Sequence, residues 1–129
     1  MPTGYPFTSG DILTAAEMNS LVAFTINAQS GTTYTLASTD QYQVLVQTTN
    51  AAAKTVSIPT DATYNFPVGT CISFLNSGAG DLTIEAASSG TTTVTSAGAT
   101  SAAPTVGEYK SAAAIKTAAN TWTVVGAVA

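Results

Sequence analysis

Pro59-Thr60-Asp61-Ala62-Thr63-Tyr64-Asn65-Phe66-Pro67-Val68-Gly69-Thr70-Cys71-Ile72-Ser73-Phe74-Leu75 is the stretch around which the rest of the chain is read. Pro59 and Pro67 cannot donate to a β-ladder and hold the chain extended on either side of a loop. Tyr64, Phe66 and Val68 give that loop apolar anchors that plug it into a core. Gly69 permits a turn, and Thr70 to Leu75 is rich enough in β-branched and aromatic residues to form a core strand. Cys71 sits in the apolar run Val68 to Leu75, so it is expected to be a buried small hydrophobe rather than a reactive thiol.

Outward from this stretch the period is two. Lys54 to Ile58 alternates with Val56 and Ile58 inward, and Gln41 to Thr48 alternates with Tyr42, Val44 and Val46 on one side. Asp81 to Ala86 follows the turn Asn76-Ser77-Gly78-Ala79-Gly80, with Leu82 and Ile84 inward. Thr32 to Ala37 and Thr91 to Ser96 read as further strands, and residues 97 to 107 as the longest loop. Tyr109 to Thr117 and Thr121 to Val125 pair through Ala118-Ala119-Asn120, a hairpin that closes on Trp122. Short strands at such spacing predict an all-β fold, a single small β-sandwich or partly open barrel over residues 25–129.

The N-terminal 24 residues differ. Met-Pro-Thr-Gly-Tyr-Pro-Phe-Thr-Ser-Gly reads as an extended arm with Tyr5 and Phe7 as apolar knobs. Asp11 to Val22 is the one good helix. Thr14 and Glu17 fit a capping box, and Leu13, Met18, Leu21 and Val22 fall roughly on one face. Arm and helix read as a docking element, with Tyr5, Phe7, Leu13, Met18, Leu21 and Phe24 as candidate interface residues.

Composition excludes several classes. In 129 residues, 8% are charged and the net charge is −4. The cations are Lys54, Lys110 and Lys116 alone, too few for a nucleic-acid or anionic membrane surface. A surface this poor in charge suits a protein that lies against partner subunits. No window approaches the ~20 apolar residues that span a bilayer, and Met1 is not followed by a signal-peptide pattern. With no histidine, the usual triads and most zinc sites are gone. Asp81 and Glu85 share one strand face ~13 Å apart, too far for a glycosidase pair. Asp40 and Asp61 read as turn residues. No enzyme, cofactor or metal is expected. The aromatic residues could instead line a carbohydrate groove, although a core or interface role is the commoner use.

Phe7-Thr8-Ser9-Gly10-Asp11-Ile12-Leu13-Thr14-Ala15-Ala16-Glu17-Met18-Asn19 resembles an N-terminal pattern of tailed-bacteriophage virion proteins. Ile58-Pro59, Asn65 to Thr70 and Gly78 to Ile84 resemble the small β-domain of phage tail fibres, minor tail proteins and head decoration proteins. Ala114 to Trp122 is similar to the closing hairpin of that domain. Ser111-Ala112-Ala113-Ala114 departs from its pattern in being smaller. The resemblance implies a capsid decoration (cement) protein on the virion surface, made in the host cytoplasm. It would be a homotrimer that binds the major capsid protein through residues 1–24. The alternative it implies is a tail-fibre or minor tail component that binds a host receptor or glycan.

Overall fold

The computed structural model describes residues 9, 14–15, 24–41, 43–97, 99–100 and 102–129. The fold is all-β, built as two sheets around one core. The expected arm over residues 1–10 and helix Asp11–Val22 lie, apart from isolated positions, outside the described residues.

The first six strands are β1 (Thr25–Gln29), β2 (Thr33–Thr35), β3 (Val44–Thr48), β4 (Lys54–Ile58), β5 (Cys71–Asn76) and β6 (Leu82–Ala86). They alternate between the two sheets. β1, β3 and β5 pair in parallel in one sheet; β2, β4 and β6 pair in parallel in the other. The chain thus winds as three stacked coils, each contributing one strand to each sheet. Five strands complete the sheets: β7 (Thr93–Ser96), β8 (Ala99–Thr100), β9 (Thr105–Val106), β10 (Lys110–Ala118) and β11 (Thr121–Gly126). β10 lies antiparallel between β5 and β11, β7 runs parallel to β11, and β9 runs antiparallel to β6. The larger sheet has the order β1-β3-β5-β10-β11-β7-β8, the smaller β2-β4-β6-β9.

Stacking sets the core in columns. Val46 lies beside Phe74 in the larger sheet, and Val56 beside Ile84 in the smaller, all fully buried. Where the coils turn, the columns become polar. Thr48 Oγ1 donates to Asn76 Oδ1, and Asn76 Nδ2 donates to the Gly80 and Val106 carbonyls. Turns 50–53 and 77–80 lie directly on one another. A Cβ on Gly80 would stand 2.4 Å from the Ala52 backbone, so only glycine allows that approach.

The Pro59–Thr70 loop does plug the core. Phe66 is buried, edge-on to Tyr64 with ring centroids 4.6 Å apart and edge-on to Trp122 at 5.5 Å. Two expectations are corrected here. Val68 is 65% exposed, because it falls in the turn Val68–Gly69, where Gly69 takes φ +94° and the chain swings out before β5. Cys71 is exposed, because Ile72 and Phe74 take the inward positions of β5 and so leave Cys71, Ser73 and Leu75 on its outer side.

Element ends also shift. The strand expected from Gln41 begins at Val44, after a 3-10 turn over Ser38–Asp40. The buried Asp40 carboxylate accepts from the Ala37 N–H at 2.9 Å, the Asn27 amide at 2.7 Å and the Tyr34 hydroxyl at 2.6 Å. These bonds compete with the ladder and fix the turn. The region read as the longest loop holds the short strands β8 and β9.

Candidate interaction surface

The larger sheet turns one face to the core and the other outward. Ladder register aligns one outward row across five strands: Ile26 on β1, Leu45 on β3, Ser73 on β5, Ala113 on β10 and Val125 on β11. A flanking row carries Ala28, Gln47, Leu75 and Ser111. On the other side, Cys71, Ile115, Thr123 and Thr95 align. None of these outward positions holds a charged residue.

The middle of this face is recessed. Ser73, Ser111, Ala113 and Gly126 supply little side-chain volume, and taller groups rise on each flank. Phe24, 53% exposed, stands at one end of the groove and Val125, 45% exposed, at the other. Ile26 is 52% exposed on the same row. Gly126 adopts φ +123°, and a Cβ there would meet Ala112 Cα at 2.8 Å. That leaves the groove floor at backbone level. Of the five large apolar side chains most exposed among the described residues, three belong to this one face. Apolar surface gathered this way marks a contact surface.

Phe24 is the only candidate interface residue that falls among the described positions. Tyr5, Phe7, Leu13, Met18 and Leu21 lie outside them. Sequence reasoning missed Ile26, Leu45 and Val125. The signal was present in Val124-Val125, since neighbouring valines on a strand must face opposite sides. Leu45 likewise shares its side with Gln47, not with Val44 and Val46.

Elsewhere the polar groups are absorbed by the fold. Lys116 Nζ donates to Asp61 Oδ1 at 2.8 Å, Asn65 Oδ1 at 2.7 Å and the Phe66 carbonyl at 2.7 Å. Burial draws the Asp61 carboxyl upward, but the Lys116 hydrogen bond and the Asn120 N–H outweigh it and hold the group below the usual carboxylate range. The Tyr34 hydroxyl is pushed up to about 12, first by burial and then by its bond to the Asp40 carboxylate. Asp81 and Glu85 flank the buried Leu82 and Ile84 on the outer side of β6. No group of three or more acidic, cysteine or histidine ligands gathers among the described residues, and no helix among them is long and apolar enough to cross a membrane.

No family profile, no curated protein and no solved structure matches the chain.

Proposed function

We propose that the protein is a non-enzymatic structural component of a bacteriophage virion. The specific reading is a capsid decoration protein, a homotrimer that binds the major capsid protein and stabilises the head. The observation that carries it is the charge-free, apolar outer face of the larger sheet. A lone domain with 8% charged residues and such a face has little to keep copies apart in solution. The same surface is well suited to a lattice in which it is covered. The phage-like N-terminal segment and closing hairpin give the class of partner.

The test is removal of residues 1–10. The shortened chain should still unfold in one cooperative transition, but should no longer bind expanded capsids in a sedimentation assay. Undiminished occupancy refutes the role given to the arm. Copy number against the major capsid protein in purified virions then separates head from tail: a comparable number supports decoration, a small fraction supports a tail part.

One observation favours the second reading, a tail component that binds a glycan. Tyr109, between β9 and β10, is 76% exposed and held at φ +58°, a conformation rarely taken by a bulky residue. An aromatic ring presented this way can stack on a sugar. Glycan-array binding that Tyr109→Ala abolishes would move the protein to that class.

A further inference from the structure

We propose that the cleft between the far end of β6 and the start of β7 is a binding site for a neutral, hydroxyl-rich small molecule the size of a single sugar ring. The proposal does not rest on the virion reading. It leaves the outer face of the larger sheet untouched, because the cleft is lined from β6 of one sheet and β7 of the other.

An orphaned hydroxyl is the first argument. Four serine and threonine side chains are buried among the described residues: Thr48, Thr70, Thr92 and Ser96. Thr48 Oγ1 donates to Asn76 Oδ1 at 3.4 Å, Thr70 Oγ1 to the Pro67 carbonyl at 2.7 Å and Ser96 Oγ to the Val124 carbonyl at 2.9 Å. Thr92, 1% exposed, has no hydrogen-bond partner for its Oγ1 among the described residues. It has the inward parity of Val94, so a valine of the same shape would avoid the cost of an unpaired hydroxyl there. A buried polar group without a partner calls for an explanation, and Thr92 lines a cleft of about 320 Å³. That volume equals roughly ten waters of liquid, far more than the seat of a single bridging water. The Trp122 indole N–H is also unpartnered but does not line this cleft.

The cleft is also held open. Residues 102 and 103 form one wall, and their segment is tied to both sheets. The Ala102 N–H donates to the Val94 carbonyl at 2.8 Å, and the Ile84 N–H donates to the Pro104 carbonyl at 3.0 Å. The lining sets the class of ligand. Ala86, Val94 and Ala102 offer small apolar surface, Thr92 and Ser89 offer hydroxyls, and Glu85 stands at the rim. A carboxylate there repels phosphates and other carboxylates. An ammonium only donates, which would leave the donor capacity of both hydroxyls unused. The hydroxyls of a saccharide or polyol both donate and accept, and its C–H surface packs on alanine and valine. Pockets for small ligands begin at about 300 Å³, so this cleft takes a single ring. Tyr109 lies at the opposite end of the strands, where its N–H donates to the Asn76 carbonyl ahead of β6.

The test is a titration of the full chain with glucose, galactose and N-acetylglucosamine, each as the free sugar and as a short oligosaccharide, followed by amide chemical shifts. The amides of Ala86, Thr92 and Ala102 should shift saturably. A response to the free sugars supports the site and assigns it to a free saccharide. A response to the oligosaccharides alone supports it and assigns it to a glycan end. Shifts confined to the surroundings of Tyr109, or none at the highest soluble concentration, overturn the proposal. Thr92→Val keeps the β-branched shape and removes the hydroxyl. It should weaken binding on the order of tenfold, as the loss of one hydrogen bond does, while the thermal midpoint holds or rises. A lower midpoint would make the hydroxyl structural and overturn the proposal, as would unmoved affinity. Ser89→Ala, at an exposed position, leaves the core alone and should weaken binding by a smaller factor. Unmoved affinity in that variant would likewise refute the site.

Discussion

Lys54 and Lys116 are both nearly sealed from solvent, at 2% and 1% exposure, yet each is satisfied by different chemistry. Lys54 lies where two coil turns stack. Its Nζ donates to the Asn50 and Gly80 carbonyls at 2.7 Å, with a longer bond to Ala52 at 3.4 Å. Among the described residues, no carboxylate is bonded to it. Burial lowers its pKa, and the more distant charges of Asp81 and Glu108 pull it only partly back. Lys116 lies at the plug loop, where an ion pair and two neutral acceptors complete its shell. Backbone dipoles can hold an ammonium at a corner near water. At a loop that must be fastened to a hairpin distant in sequence, this chain uses a carboxylate.

The largest effect that sharpens this contrast is Trp122→Ala. The ring stands edge-on to Phe66 and is 1% exposed, so its loss undermines the plug and should cost about 3–5 kcal/mol in chemical denaturation. A loss under about 1 kcal/mol would mean that the plug is held by Lys116 alone. Next comes Lys116→Met, which strands the Asp61 carboxylate and two further acceptors. A loss of about 3 kcal/mol is expected, and Asp61→Leu added to Lys116→Met should restore part of it. Additive losses in the double variant would show that the ion pair is not the coupling. Lys54→Met should cost less, about 1–2 kcal/mol, since it leaves only carbonyls, which water can reach at a partly exposed turn. Equal losses at the two lysines would erase the distinction drawn here.

The smallest effect is in acid. The Asp61 carboxyl is held below its unfolded value, so its contribution is fully present above the unfolded pKa of about 3.9 and disappears as pH falls through the folded one. Thermal midpoints of the native chain should therefore drop below about pH 4 more steeply than those of Asp61→Asn. Parallel curves would remove Asp61 from the acid limb. Lys54 acts with the opposite bias. Its lowered pKa means that charge on it opposes folding at neutral pH, a penalty relieved only as pH rises through its folded pKa.

Both lysines were legible in part. Lys54 has the parity of Val56 and Ile58, and Lys116 that of Ala112 and Ala114, so alternation alone places each ammonium inward. What alternation cannot name is the acceptor, because Asp61 and Gly80 reach those sites through loops. The same limit applies to the sheets. Period two gave β4, β6 and the β10–β11 hairpin closely, and it placed Trp122 in the core. It reports which side a residue faces but not which strand lies beside it, so the parallel coils were hidden. Cys71 was misread because the apolar run around it was weighed above its parity with Ser73 and Leu75. Of the candidate surface, the sequence named Phe24 alone, as an interface candidate, and the structure leaves it 53% exposed. The rest came from register, which aligns Ile26, Leu45 and Val125 across strands far apart in sequence.

The coiled stacking also has a kinetic consequence. Thr25 pairs with Val44, Leu45 with Ser73 and Lys54 with Leu82, so each parallel ladder must close a long loop before its bonds form. Among the described residues, only the β10–β11 hairpin and the small β7–β8 pair join strands that are neighbours along the chain. Loop closure of this kind slows folding. The hairpin is therefore the most local element, and β7 closes a shorter loop onto it than β5 does, since Thr121 pairs with Thr93 whereas Ile115 pairs with Cys71. A polypeptide emerging N-terminus first presents its parallel coils, with their loops still to be closed, before the one long local hairpin has been made.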